Sequence, residues 1–136
     1  MSSGPVPSPT PETAPFWEST RARAMRLPHC TPCGRPHFYP RSYCPFCHSA
    51  ELEWREVSGR ATLASYVINR RPGPAFEGAS QIIALVRLAE GPRMMTNLVE
   101  VETDPVSLRL GMPLRVRYSE RGDQVLPLFA PAEVAA

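Results

Sequence analysis

The feature that most constrains the fold is a set of four cysteines arranged as two short pairs. Cys30 and Cys33 form the first pair, Cys44 and Cys47 form the second, and residues 34–43 lie between them. Each pair can chelate one ion from one side, and four thiolates complete the tetrahedral shell of a structural zinc site. The spacing therefore predicts a structural Zn²⁺ that holds a small module together and has no open position for catalysis.

Other uses of these cysteines are less favoured by the rest of the sequence. Iron is the alternative metal for four thiolates, and a red colour would reveal it. Residues 1–5 lack the basic and apolar regions of a signal peptide, so we expect a cytoplasmic chain whose thiols stay reduced rather than forming disulfides. His29, His37 and His48 are close enough to replace a cysteine as ligand, although four thiols make this less favoured, and His29 and His37 are expected to face solvent. His48 follows the last cysteine, where it either adopts a left-handed conformation or sits in a looser turn.

Length and charge narrow the class of protein. The 136 residues suit one domain or two very small ones, and the cysteine-containing segment has so few aliphatic side chains that it needs a metal to hold it together. The net charge of +2 is low for a nucleic-acid-binding protein. All fifteen basic residues are arginine, which indicates a GC-biased genome more than phosphate recognition.

The sequence divides into four predicted segments. We expect a proline-rich flexible arm over residues 1–14, a helix and zinc ribbon over 15–57, a barrel over 58–130 and a tail over 131–136. The helix is predicted over residues 15–27, with Pro15 in its first turn and Pro28 ending it. Its aromatic residues Phe16 and Trp17 either pack on the core of this chain or dock on a partner protein.

The segment after residue 57 alternates between apolar and polar residues, as strands do. Alternation in the first strand places Leu63, Ser65, Val67 and Asn69 on one face. A short helix is predicted over residues 105–111, between the third and fourth strands. The five predicted strands cover residues 61–69, 81–88, 94–101, 114–118 and 124–129. This order of elements predicts a mostly β protein with a five-stranded Greek-key barrel of the OB type.

These motifs together resemble one family, domain-of-unknown-function family thirty-five (DUF35), in which a rubredoxin-like zinc ribbon precedes an OB-fold barrel associated with acyl-CoA. The resemblance runs from about residue 16 to residue 131. The one departure is His48, where the family usually has glycine. The matching segments are residues 16–17, 27–34, 44–47, 52–54, 57–62, 70–74, 91–93, 97–99 and 111–113.

The resemblance implies a function as a partner of thiolase-superfamily enzymes. Such a protein is an accessory subunit beside a thiolase, a ketosynthase-like acyltransferase or an aldolase in lipid or polyketide metabolism. It implies that the ribbon and helix dock on the enzyme in a hetero-oligomer and that the barrel lies near the acyl-CoA path. The chain itself is then non-catalytic, although it belongs to an acyltransferase or carbon–carbon bond lyase complex.

Four residues of the barrel are candidates for contact with acyl-CoA. Arg70 and Arg71 suit the phosphates of coenzyme A, and Phe76 can stack on adenine. The alternative is a solvated loop whose arginines pair with Glu77 or with nothing. Asn97 lies within a strand, where it faces solvent, bonds to the backbone or meets a ligand.

The residues themselves offer no catalytic constellation, because the metal takes all four cysteines and the three histidines lie in or beside the ribbon. A free-standing enzyme is therefore the least favoured hypothesis. The second hypothesis, after the accessory subunit, is a module that binds single-stranded nucleic acid, since OB folds also do this.

Overall fold

A computed structural model describes residues 4–76 and 79–132. Glu77, the start of the predicted arm and most of the predicted tail lie outside these described residues. One helix comes first, then two strands that form the ribbon, then five strands that form the barrel. The elements are α1 (Ala14–Arg21), β1 (Arg26–Cys30), β2 (Leu52–Glu56), β3 (Arg60–Asn69), β4 (Gln81–Leu88), β5 (Arg93–Leu98), β6 (Pro113–Arg121) and β7 (Gln124–Pro131).

The barrel closes in the order β3-β4-β5-β7-β6, with β6 returning to pair with β3. All neighbouring strands are antiparallel except β5 and β7, which meet in parallel at Leu98 and Phe129. This confirms the mostly β fold of helix, zinc ribbon and five-stranded barrel that the sequence predicts. In place of the expected helix at residues 105–111, the structure has a single 3₁₀ turn over Pro105–Ser107. The Asp104 side chain caps this turn by accepting a hydrogen bond from the Val106 amide.

The helix α1 ends at Arg21, six residues before the predicted end. Arg23 has a φ of 57°, in the left-handed region. The Arg23 amide donates to the Thr20 carbonyl at 3.0 Å, and the Ala24 amide donates to the Ser19 carbonyl at 3.0 Å. This pair of bonds is a Schellman cap, which usually has glycine at its left-handed position. The chain therefore turns early and enters the ribbon strand β1.

Strand β3 carries an irregularity that overturns the predicted alternation. The pairing register with β4 shifts between Leu63 and Ser65, which leaves an extra residue on β3. Leu63 faces the core before the shift, whereas Tyr66 and Ile68 pack against the core after it. Val67 is 59% exposed, so it does not share a face with Leu63 as the sequence predicts. A β-bulge reverses the facing of every later residue in a strand.

The helix, the ribbon and the barrel share one hydrophobic core. Phe16 and Trp17 of α1 and Leu27 of β1 belong to the same buried cluster as Leu63 and Phe129 of the barrel. The Tyr118 hydroxyl of β6 also accepts a hydrogen bond from the Met25 amide at 2.9 Å. The predicted boundary between residues 57 and 58 falls in the loop between β2 and β3, and the core crosses it.

Candidate functional site

The four cysteines lie on two turns of the same construction. In the first turn, the Gly34 amide donates to the Cys30 carbonyl at 2.8 Å. In the second turn, the His48 amide donates to the Cys44 carbonyl at 2.9 Å. The residue after each second cysteine is left-handed, with φ of 76° at Gly34 and 65° at His48. For His48, this conformation is one of the two alternatives that the sequence leaves open.

The sulfur atoms converge on a common centre. Cys30 Sγ lies 3.3 Å from Cys47 Sγ, and Cys33 Sγ lies 3.6 Å from Cys44 Sγ. All four sulfurs lie within 4.8 Å of one another. Sulfurs at the corners of a tetrahedral zinc site lie roughly 3.8 Å apart, as Zn–S bonds of about 2.3 Å require. The four cysteine sulfurs are therefore close enough together to hold a metal ion, with spacings near those of a tetrahedral site.

The electrostatics of these thiols also favour a cation. Burial raises the pKa of Cys30 to about 12, against an opposing hydrogen bond from the backbone of Cys33. Burial acts in the same direction on Cys44, but the amides of Cys47 and Phe46 outweigh it and lower the pKa of Cys44 to about 7. Thiols this close do not all ionise unless a cation neutralises them. Four thiolates leave such a cation no open position for a substrate.

The histidines do not join the cysteines in the described part of the chain. The ring of His29 is hydrogen-bonded through Nδ1 to the Leu27 carbonyl at 3.0 Å. His37 is only 3% exposed, so the expectation that it faces solvent is wrong. His37 lies in the loop between the cysteine pairs, which borders Leu85 of β4 and Arg93 of β5.

An apolar cleft of about 470 Å³ lies where the ribbon loop and α1 meet the barrel. One wall is aromatic: the Phe16 ring centroid lies 5.0 Å from that of Trp17, 5.7 Å from Phe38 and 6.4 Å from Tyr39. Strands β4, β5 and β7 form most of the rest of the lining, and Phe76 and Arg121 complete it. The volume and the mainly apolar lining are typical of a site for a small organic ligand.

A few polar groups lie in or beside this cleft. The Asn97 side-chain amide donates to the Ile82 carbonyl at 3.0 Å, and the Thr96 hydroxyl donates to the Pro127 carbonyl at 2.9 Å. The indole Nε1 of Trp17 is buried and has no hydrogen-bond partner among the described residues. The Arg121 guanidinium donates to the Pro5 carbonyl at 3.3 Å, which places the proline-rich segment at one edge of the cleft.

The structure brings together only some of the predicted site residues. Phe76 and Asn97 both line the cleft, whereas Arg70 and Arg71 do not. The Arg70 guanidinium donates instead to the Thr103 carbonyl at 3.1 Å, on an exposed loop. Phe76 and Asn97 are therefore the two candidates that the fold places beside a ligand-sized space.

The aromatic pair in the helix packs inward. Phe16 is 1% exposed and Trp17 is 8% exposed, so both pack on the core of this chain, one of the two alternatives that the sequence leaves open. A partner that contacts them can do so only through the cleft. Sequence reasoning missed Phe38 and Tyr39 as lining residues, although two adjacent aromatics in an aliphatic-poor ribbon are a usable signal.

No helix in residues 4–76 or 79–132 is both long and apolar enough to cross a membrane.

Two protein-family models together match residues 17–119 of the chain. Residues 17–53 match the family described as "ChsH2, rubredoxin-like zinc ribbon domain". Residues 54–119 match the family described as "ChsH2, C-terminal OB-fold domain".

Individual relatives are also similar to this chain over most of its length. A solved structure described as "Ltp2-ChsH2(DUF35) aldolase" has a TM-score of 0.81 and 31% sequence identity, covering 93% of this chain and 98% of that chain. A "DUF35 domain-containing scaffold protein" of Pyrococcus furiosus is 29% identical over 102 residues, 74% of each chain. A "Probable enoyl-CoA hydratase alpha subunit" of Thermomonospora curvata is 32% identical over 130 residues, 94% of this chain. The chain spans 40% of the length of that hydratase subunit.

Proposed function

Because the chain belongs to the DUF35 family of zinc-ribbon and OB-fold proteins, we propose that it is a non-catalytic accessory subunit of an enzyme that processes acyl-CoA. The observation that carries this proposal is its similarity to the "Ltp2-ChsH2(DUF35) aldolase", which covers 98% of that chain. That description joins a DUF35 chain to a second component and to an enzyme activity. The scaffold and hydratase-subunit names of the other relatives support the same class of role.

The chain's own chemistry is consistent with an accessory role. A closed shell of four thiolates cannot activate a water or a carbonyl, because such activation needs an open coordination position. The cleft is lined mainly by apolar and aromatic side chains, which bind and orient an acyl group but transfer no proton. We propose that the resident ion is Zn²⁺, since four thiolates in a tetrahedral arrangement are typical of structural zinc. When bound, that ion holds the ribbon loop, including Phe38 and Tyr39, against the barrel.

The partner is proposed to be a thiolase-superfamily enzyme, such as a thiolase, a ketosynthase-like acyltransferase or an aldolase. The cleft is proposed as the part of the acyl-CoA path that this chain provides, with Phe76 and Asn97 beside the substrate. Arg70 and Arg71 are further from this space, so any contact with coenzyme A phosphates involves a part of the ligand outside the cleft. Binding of single-stranded nucleic acid stays an untested alternative, to which the net charge of +2 gives little support.

The test is co-purification with a candidate partner. Affinity purification from the native organism and mass analysis identify the neighbouring chain, and the two genes are then co-expressed. We expect one peak on gel filtration that contains both chains, and acyl-CoA turnover by the complex but not by this chain alone. Separate migration of the co-expressed chains, or turnover by this chain in isolation, would falsify the accessory role.

A further inference from the structure

A second hollow, of about 510 Å³, lies between the loop that joins the cysteine pairs and the turn between β4 and β5. The loop contributes His37 and Arg41, the second cysteine turn contributes Phe46, the turn between β4 and β5 contributes Pro92, and Arg93 begins β5. Phe38 lines both this hollow and the apolar cleft. The hollow is thus a separate space on the same ribbon–barrel junction, with a more polar lining.

The buried histidine is the first observation that points to a ligand. His37 is 3% exposed, and neither of its ring nitrogens has a hydrogen-bond partner among the described residues. Its backbone is held in place, because its amide donates to the Pro28 carbonyl at 3.2 Å. A buried polar group without a partner is costly, so native proteins usually satisfy it with another group or a bound molecule.

The charge around the hollow is the second observation. Within the described residues, neither the Arg41 nor the Arg93 guanidinium has a hydrogen bond or ion pair, and no acidic side chain lines the space. Arg87 lies directly opposite Arg93 across the β4–β5 pair, which adds like charge. The one acid of the turn, Glu90, does not line the hollow: its Oε2 accepts from the Ser58 amide at 2.9 Å, and its Oε1 is buried without a hydrogen-bond partner among the described residues. Uncompensated guanidinium groups beside a partly enclosed space attract anions.

The protonation state of His37 allows its ring to donate a hydrogen bond to such an anion. Burial lowers the pKa of His37, and the nearby Arg41 lowers it further. A neutral imidazole still has one N–H to donate. Two guanidinium forks and one ring N–H match the several acceptor oxygens of a phosphate group better than the two oxygens of a carboxylate.

We propose that this hollow binds a phosphate group, with Arg41 and Arg93 neutralising its charge and His37 donating one hydrogen bond. The inference is independent of the accessory role, since it uses only residues of this chain. Inorganic phosphate, a phosphorylated metabolite and coenzyme A all present the required chemistry. Phe46 lines the hollow and is exposed, so the rest of a ligand larger than the phosphate itself can extend past this ring into solvent.

The experiment titrates the full metal-loaded chain with inorganic phosphate while the His37 ring signals are followed by ¹⁵N–¹H NMR. We expect a saturable shift of those signals. Arg41→Gln and Arg93→Gln, which alter exposed side chains and preserve the fold, should each weaken binding by roughly tenfold or more. Arg109→Gln removes the same charge outside the hollow and should change the affinity by less than about twofold.

Coenzyme A is the second probe and separates the sources of the phosphate. Competition between coenzyme A and phosphate at His37 would support the site and assign it to the coenzyme. Binding of phosphate without competition would support the site and assign it to another phosphorylated molecule. No saturable shift with phosphate at concentrations on the order of 10 mM, or equal weakening by all three variants, would overturn the proposal and leave water as the partner of His37.

Discussion

Replacing Phe16 with alanine tests whether the helix, the ribbon and the barrel depend on one another. The Phe16 side chain is 1% exposed and contacts the rings of Trp17 and Phe38. Phe→Ala changes in well-packed cores cost about 3–5 kcal/mol, because the lost burial and the remaining cavity both count. This is a large fraction of the roughly 5–15 kcal/mol by which a typical domain is stable. The expected fall in melting temperature is about 10–20 °C for a chain of this size.

The assay is urea unfolding followed by two signals on the same sample. Tryptophan fluorescence reports on Trp17 in the helix and Trp54 in the ribbon, and a chromophoric chelator reports the release of the metal. Because one core joins the three parts, both signals should change in a single transition that Phe16→Ala moves to lower urea. Phe46→Ala is the matched control: it removes the same side chain from a position that is 53% exposed, so we expect a loss of about 1 kcal/mol or less.

Two outcomes would refute this reasoning. A loss of less than about 1 kcal/mol for Phe16→Ala would mean that the ring is not part of a tightly packed core. Two separate transitions, in which Phe16→Ala moves the fluorescence change but not the release of the metal, would mean that the metal-holding turns unfold independently of the core around Phe16. Reduced binding of a partner without any change in stability would restore the alternative in which this side chain docks on another protein.

Two further predictions concern the metal site. Cys30→Ser and Cys47→Ser should each release the metal and unfold the ribbon, because metal binding and folding are coupled in such modules; retention of one ion per chain by both variants, measured by elemental analysis, would contradict the four-thiolate site. His48→Gly should stabilise the metal-loaded protein by about 1 kcal/mol, since glycine adopts the left-handed conformation without a steric cost. Chelator competition and urea unfolding of the variant measure this gain, and an unchanged or lower stability would mean that the His48 side chain makes contacts worth more than the strain.

The sequence predicts the metal ligands and the barrel because both depend on local patterns. Two Cys-x-x-Cys pairs can be read directly, and five alternating segments with one interruption specify the type of barrel. The turn at Arg23 could not be predicted in the same way, because a Schellman cap usually has glycine at its left-handed position and this one has arginine. The bulge in β3 was equally hidden, since an extra residue changes the facing of Val67 without any change in residue type.

The parts of the site that were missed depend on contacts between distant segments. Phe38 and Tyr39 lie far from Asn97 in the sequence, and only the packing of the ribbon against the barrel brings them to the same cleft. His37 was expected at the surface because histidines in ribbon loops usually have solvent on one side. The position of that loop beside β4 and β5, which no local pattern encodes, leaves it buried instead.

The composition of the cleft has a thermodynamic consequence. Phe38 and Tyr39 come from the loop that the metal holds in place, whereas the opposite lining comes from the barrel. A molecule that uses both walls binds best when the ribbon is intact, and linkage makes this effect reciprocal. The same molecule must therefore raise the affinity for the ion by the factor by which the ion raises the affinity for that molecule. A protein built in this way binds its metal most tightly while its cleft is occupied.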